Sequence, residues 1–192
     1  MGTDRHDTMT SSRAYLGLGS NLGDRLATMQ SAVARLDAHP HIILDRETDL
    51  SCLYETAPVG GPPGQGPYLN SAVGVVTTLS PHELLRAILS IEDALGRVRT
   101  ERWGDRSIDV DLLLYANVTC TGADLSLPHP RLHQRRFVLE PLSEIAGDAV
   151  HPTLSMTIAD LAEQARLNEP GQFTRRLAGP EWIGDPVAAR LR

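Results

Sequence analysis

The chain has 192 residues, 41% of them hydrophobic and 22% charged, and a formal charge of −6. Those values suit one globular domain with a sizeable core. They exclude a fibre, a disordered chain and a general nucleic-acid or membrane-surface binder, which needs a net basic footprint. No run of about 18 apolar residues occurs, and Cys52 and Cys120 lack the clustered spacing of a metal site, so free thiols in a reducing cytoplasm are expected.

Residues 1–12 are polar, without an apolar signal core, and read as a disordered N-terminal segment. The apolar run 14–18 predicts a strand that ends in the turn GSNLG. Asp24 then caps a helix carrying Leu26, Met29, Val33 and Leu36 at helical spacing, stopped by Pro40. This turn lacks the lysine of a phosphate-cradling P-loop and reads as a structural turn that can lend Asn21 to a ligand. Residues 42–54 predict a longer strand with a bend or bulge at 45–49. The stretch 57–67, APVGGPPGQGP, can be neither helix nor central strand; it reads as a connector or as a lid beside a site.

Strand character returns over 69–77. Ser80-Pro81-His82-Glu83 is a capping box with proline at the first helical position, and Leu84, Leu85, Ile88, Ile91 and Leu95 form an apolar stripe that Gly96 ends. On spacing alone, Glu92 belongs to the solvated face of that helix. A strand over 107–115 follows, then a turn or short hairpin over 117–125. A short helix is expected over 137–145 with Pro141 disturbing it, then a helix over 158–165 capped by Thr157 and an edge strand over 172–177. Beyond Ala178 no element is legible. The order β-α-β-β-α-β, with additions after it, is an α+β plan: a ferredoxin-like antiparallel sheet with helices packed on it. Residues 13–178 are expected to form a single domain and 179–192 a tail.

The chemistry concentrates in RVRTERWGDRSIDVDLLL, from Arg97 to Leu114. Side chains alternate across a strand, so Asp109 and Asp111 point one way while Ile108, Val110 and Leu112 point into a core. An Asp-x-Asp pair arises by chance in a chain this long, and single loop arginines are usually solvated surface. Two half-buried carboxylates preceded by Arg97, Arg99, Arg102 and Arg106 point instead to a site for Mg²⁺ and a polyphosphate. His129, held between two prolines, with Arg131, His133, Arg135 and Arg136, adds cationic potential.

The segments GLGSNLGDR, YET-APVGG, PYLN, GRVR-ERWG-RSIDVDLLLY and LPHPRLHQRRFVL resemble, in order and over residues 14–152, the 6-hydroxymethyl-7,8-dihydropterin pyrophosphokinase family of folate biosynthesis. The resemblance implies a ferredoxin-like core and an enzyme, a diphosphokinase that moves the terminal pyrophosphoryl group of ATP to the pterin hydroxymethyl and leaves AMP, with two Mg²⁺ ions. It implies that Asp109 and Asp111 bridge the metals and that Arg97, Arg99, Arg102, Arg106, His129 and Arg135 contact the triphosphate. Glu92, Trp103 and Ile108 then lie at the nucleotide. Tyr68 and Phe137 sandwich the pterin, whose polar edge meets Thr56, Asn70, the backbone at Pro58 and Val59, and Asn21. The implied partners are pterin and ATP; the composition adds no nucleic acid and no membrane, and a cytoplasmic protein, expected as a monomer with an oligomer left open. Two readings from other classes compete: a ligand-sensing module, which has no use for paired acids beside arginines, and a nucleotidyl transferase, which the acidic balance disfavours.

Overall fold

The computed structural model describes residues 10–60, 62–97 and 106–184. β1 (Ser12–Ser20) turns through Gly23, at φ 69, into α1 (Arg25–Asp37). Asp24 caps that helix by accepting from the Ala27 N–H at 3.1 Å. The expected bent strand is realised as two short ones, β2 (Ile42–Ile43) and β3 (Leu53–Thr56), both antiparallel to β4 (Tyr68–Thr77). The chain between them leaves β4 after Ile43 and rejoins it at Asp49, whose carbonyl accepts from the Gly74 N–H at 2.8 Å and whose carboxylate accepts from the Asp45 N–H at 3.1 Å and from the Arg13 guanidinium. α2 (Pro81–Ala94) opens on the expected capping box and stops before Gly96, at φ 74. β5 (Asp109–Tyr115) leads to the hairpin β6 (Cys120–Thr121) and β7 (Ser126–Leu127), then to α3 (Arg136–Ala146), α4 (Ile158–Asn168) and the edge strand β8 (Thr174–Ala178).

The main sheet runs β5-β1-β4-β3-β8 with β2 also against β4, and every pairing is antiparallel. With β2 and β3 taken as one interrupted strand, this is the expected ferredoxin-like order, and β8 extends its far edge. α1 and α2 cover one face, burying Met29, Val33, Leu84 and Ile88 against Leu16, Leu18, Val73 and Val110. α3 and α4 cover part of the other, burying Leu139, Leu142, Ile158 and Leu161 against Ala72 and Leu113. Helices on both faces explain why β4 is buried along nearly its whole length rather than alternating. α3 runs through Pro141, which is buried and gives up one helical hydrogen bond without ending the helix. Among the described residues no helix is long and apolar enough to cross a membrane.

One departure concerns the C-terminal side. Past Ala178, where the sequence shows no element, Pro180–Ile183 forms a 3₁₀ turn and Trp182 is fully buried in the α1/α2 core. Its indole N–H donates to the Ser51 carbonyl at 3.0 Å, and its own carbonyl accepts from Gln30 at 2.6 Å. The packed unit thus extends past residue 178, because a lone tryptophan among Gly and Pro carries no periodicity to announce its burial. Trp182→Ala should lower unfolding free energy by about 3–5 kcal/mol, read as a drop in the urea midpoint at unchanged m-value.

Candidate active site

β5 is an edge strand paired only to β1 within the main sheet. Its alternation sends Val110 and Leu112 into the α1/α2 core and turns Asp109 and Asp111 to the other face. There Asp109 lies opposite Gly19 and Asp111 opposite Gly17, while on the far side of β1 Gly19 faces Asn70 and Gly17 faces Ala72. Acid, bare glycine and amide therefore lie side by side across three strands. The glycines leave a trough: a Cβ on Gly19 would come within 3.1 Å of Asn70 Oδ1, and one on Gly17 within 3.3 Å of Leu113. Neither glycine is among the residues expected at the site. The signal was the Gly-Leu-Gly alternation inside a strand, which marks close approach to a backbone.

A cavity of about 240 Å³ sits over this trough. Thr56, Val59, Tyr68, Asn70 and Phe137 line it together with Arg106, Asp109, Asp111, His129 and Arg135, so the two acids share one space with the aromatic pair. Ala57, Gly60 and Gln65 bring the Gly/Pro-rich segment to its rim, and Arg131 also lines it. That segment is tied down where Arg25 donates to the Pro67 carbonyl at 2.7 Å. Asn70 donates its amide to Thr56 Oγ1 at 2.7 Å, a pairing that orients both polar groups.

The charges interlock. Arg97 Nη2 lies 2.7 Å from Asp109 Oδ1 and Arg106 Nη1 2.6 Å from Oδ2. Asp111 has looser partners, Arg135 at 3.6 Å and His129 Nε2 at 3.8 Å, and keeps about 35% of its side chain open to the cavity. Its carboxyl is pushed up to about 6, first by withdrawal from bulk water and then by the like charge of Asp109, with the arginines opposing. His129 is anchored by its N–H to the Leu113 carbonyl at 2.9 Å. Burial first, then Arg135 and Arg131, drives its pKa down to about 4, so it is neutral at pH 7. Because the Arg131 N–H donates to Nδ1 at 3.2 Å, the ring proton sits on Nε2, facing Asp111.

Glu92 overturns the solvated-face expectation: it is 1% exposed. Its Oε1 accepts from the Val110 N–H at 2.7 Å and pairs with Arg97, which in turn holds Asp109. Burial raises its carboxyl, against the Val110 bond and Arg97. α2 thereby clamps the outer edge of β5 between the two acids. Helical spacing could not reveal this, since it does not say which turn meets a strand edge. Asn21 also holds rather than lines: its N–H donates to the Arg106 carbonyl at 3.1 Å and its Oδ1 accepts from the Arg106 N–H at 2.7 Å. Ile108 is fully buried, and its side chain packs in the α1/α2 core. Pro58 and Arg97 stand outside the cavity lining, and Arg99, Arg102 and Trp103 lie outside the described residues.

Among the described residues no group of three acidic, histidine or cysteine side chains gathers as a metal cage. Two hard oxygen donors with a depleted cation balance at Asp111 fit Mg²⁺, which takes one or two carboxylates and fills the rest of its shell with water and phosphate.

The model of the 7,8-dihydro-6-hydroxymethylpterin-pyrophosphokinase family matches residues 15–147. A 2-amino-4-hydroxy-6-hydroxymethyldihydropteridine pyrophosphokinase of Methylorubrum extorquens is 50% identical over 139 residues, 72% of this chain and 85% of its own. A protein of the same name from Bacillus subtilis is 46% identical over 132 residues, 69% of this chain and 77% of its own. In structure, the chain resembles a Plasmodium falciparum HPPK-DHPS crystal structure with TM-score 0.66 at 15% identity, over 88% of this chain and 47% of that one. It thus spans about half of that longer protein, and at this identity the likeness speaks for the fold.

A carboxyl whose folded pKa lies above its unfolded value binds more protons when native, so the contribution of Asp111 to stability should fall as pH rises from about 4 through about 6, against the rise that His129 contributes over the same range. Asp111→Asn should lack that decline and be the more stable form at pH 7. Urea unfolding across this range checks it; parallel pH profiles for the two proteins would contradict it.

Proposed function

Since the chain belongs to the 7,8-dihydro-6-hydroxymethylpterin-pyrophosphokinase family, we propose that its cavity carries out the family reaction: transfer of the terminal pyrophosphoryl group of ATP to the hydroxymethyl group of 6-hydroxymethyl-7,8-dihydropterin, giving the pterin diphosphate and AMP in folate biosynthesis. The observation that carries this assignment is the sharing of one cavity by Asp109, Asp111, Tyr68 and Phe137.

In this reading the pterin lies over Gly17 and Gly19, where no side chain blocks a flat ring. Tyr68 and Phe137 supply aromatic faces, and Asn70, Thr56 and the backbone at Pro58 and Val59 meet its amide edge. The hydroxymethyl oxygen attacks the β-phosphorus. A new P–O bond forms, the bond from that phosphorus to the α–β bridging oxygen breaks, and the hydroxyl proton is released as AMP leaves.

Such a transfer needs alignment and charge neutralisation more than covalent help. Two Mg²⁺ ions held by Asp109 and Asp111 would neutralise the phosphates and polarise the attacked centre. Arg106 and Arg135 reach the same space as fixed guanidinium forks. Neutral His129 offers an N–H from Nε2, a donor to phosphate oxygen that adds no charge. Arg97 is held by Glu92 and so keeps Asp109 in place, and Arg99, Arg102 and Trp103 complete the nucleotide contacts. We take the protein to act as a monomer on these two small substrates, without nucleic acid or membrane, in the cytoplasm.

Incubated with Mg²⁺, ATP and the pterin, the protein should form AMP and pterin diphosphate in equal amounts. Asp109→Ala and Asp111→Ala should each stay folded yet lose activity by on the order of 10²–10³-fold or more. ADP as the product, or full activity in both variants, would reject the assignment.

A further inference from the structure

We infer that Gln172, outside the residues that the family model matches, is a positioning residue for the site. The inference rests on the proposed function and concerns how the wall carrying Arg135 and Phe137 is set. Arg135 occupies the N-cap position of α3, where Ser, Thr, Asp or Asn would ordinarily accept a hydrogen bond from the first turn. An arginine has no acceptor to offer, and this one points into the cavity instead, 3.6 Å from Asp111 and with its guanidinium carbon 5.5 Å from the centre of the Phe137 ring. α3 accordingly has no side-chain cap of its own.

Gln172 fills that gap from a distant part of the chain. Its Oε1 accepts from the Arg136 N–H at 3.0 Å, and its Nε2 donates to the Gln134 carbonyl at 3.1 Å. The Gln134 carbonyl belongs to the peptide plane before Arg135, and the Arg136 N–H to the plane after it. One side-chain amide therefore grips both peptide planes that define the φ and ψ of Arg135, observed at −117 and 100. The segment bearing Gln172 is itself knitted to α3: Arg136 donates to the Glu169 carbonyl at 3.4 Å, Glu140 accepts from Thr174 and, at 2.8 Å, from Arg136. The Ala57 N–H donates to the Phe173 carbonyl at 3.4 Å, which brings the same segment to the start of the cavity rim.

Local sequence rules are broken at Arg135 because the cap position serves the site, and residues 169–174 restore what is lost. Arg135 carries charge toward the acids and Phe137 follows it by two residues, so a rotation at Arg135 would move both. Gln172 touches neither ligand in this arrangement; it acts through the backbone of the residues that do.

The test compares Gln172→Ala and Gln172→Glu with the wild type in the full-length protein. Gln172→Ala should raise the KM for the pterin about 5- to 10-fold with kcat within about 3-fold, the size expected for one lost hydrogen-bonded anchor. Gln172→Glu keeps the acceptor for the Arg136 N–H but sets a carboxylate oxygen against the Gln134 carbonyl in place of the donor, so it should restore protection of the Arg136 amide while the KM stays raised. Independently of activity, amide exchange at Arg136 should be about 5- to 10-fold faster in Gln172→Ala. A Gln172→Ala enzyme with the wild-type KM, a glutamate variant with the wild-type KM, or an Arg136 amide equally protected in wild type and Gln172→Ala overturns the inference. A wild type that forms no AMP would refute the proposed function alone, and the exchange comparison would still decide the role of Gln172.

Discussion

Two like charges on one face of an edge strand are the constraint to which the rest of the molecule answers. Asp109 and Asp111 are two residues apart on β5, and among the described residues the outer side of that strand has no neighbour in the main sheet. The cost of assembling them is met unevenly. Asp109 has two guanidinium groups within 2.7 Å, whereas among the described residues the nearest cation to Asp111 is Arg135 at 3.6 Å, and the Asp111 carboxyl is raised to about 6. The imbalance leaves one acid satisfied by protein and the other short of positive charge, a state suited to recruiting a cation and an anion together.

The surrounding structure holds this imbalance in place. Glu92 carries the geometry of α2 to the backbone between the acids and, through Arg97, to Asp109 itself. Asn21 fixes the peptide of Arg106 from the end of β1, and Ser20 does the same one residue later by donating to the Ser107 carbonyl at 2.6 Å. The chain contains no lysine: all 18 of its basic residues are arginine. Planar forks with a permanent charge suit both carboxylate and phosphate, and they stay protonated in a cavity where a lysine could lose its proton. The glycines of β1 do the complementary work by leaving an open trough beside the acids.

Much of this was legible in the sequence where a local pattern carried it. Period-two alternation placed Asp109 and Asp111 on one face and Val110 in the core, and the capping signals at Asp24, Ser80 and Thr157 all mark observed helix starts. What escaped depends on contacts between distant segments. Glu92 occupies a helix position that spacing assigns to solvent, yet an unpaired strand edge happens to lie over it. Trp182 stands in a Gly/Pro-rich stretch, and its burial rests on distant partners, Gln30 of α1 and Ser51 before β3. Arg135 looked like one more basic residue; its place at a helix N-cap, and the need for Gln172 to compensate, appear only in three dimensions. Gly17 and Gly19 were visible as glycines in a strand, but their purpose depends on which side chains flank them across the sheet.

The central claim is that Asp111 is left electrostatically unfinished until metal and nucleotide arrive. Its side-chain carboxyl can be titrated directly by ¹³C NMR in the free protein and with Mg²⁺ plus a non-hydrolysable ATP analogue. The midpoint should lie near 6 in the free protein and fall well below the ordinary carboxylate range once both ligands are present. An ordinary midpoint near 4 that ignores both ligands would contradict it.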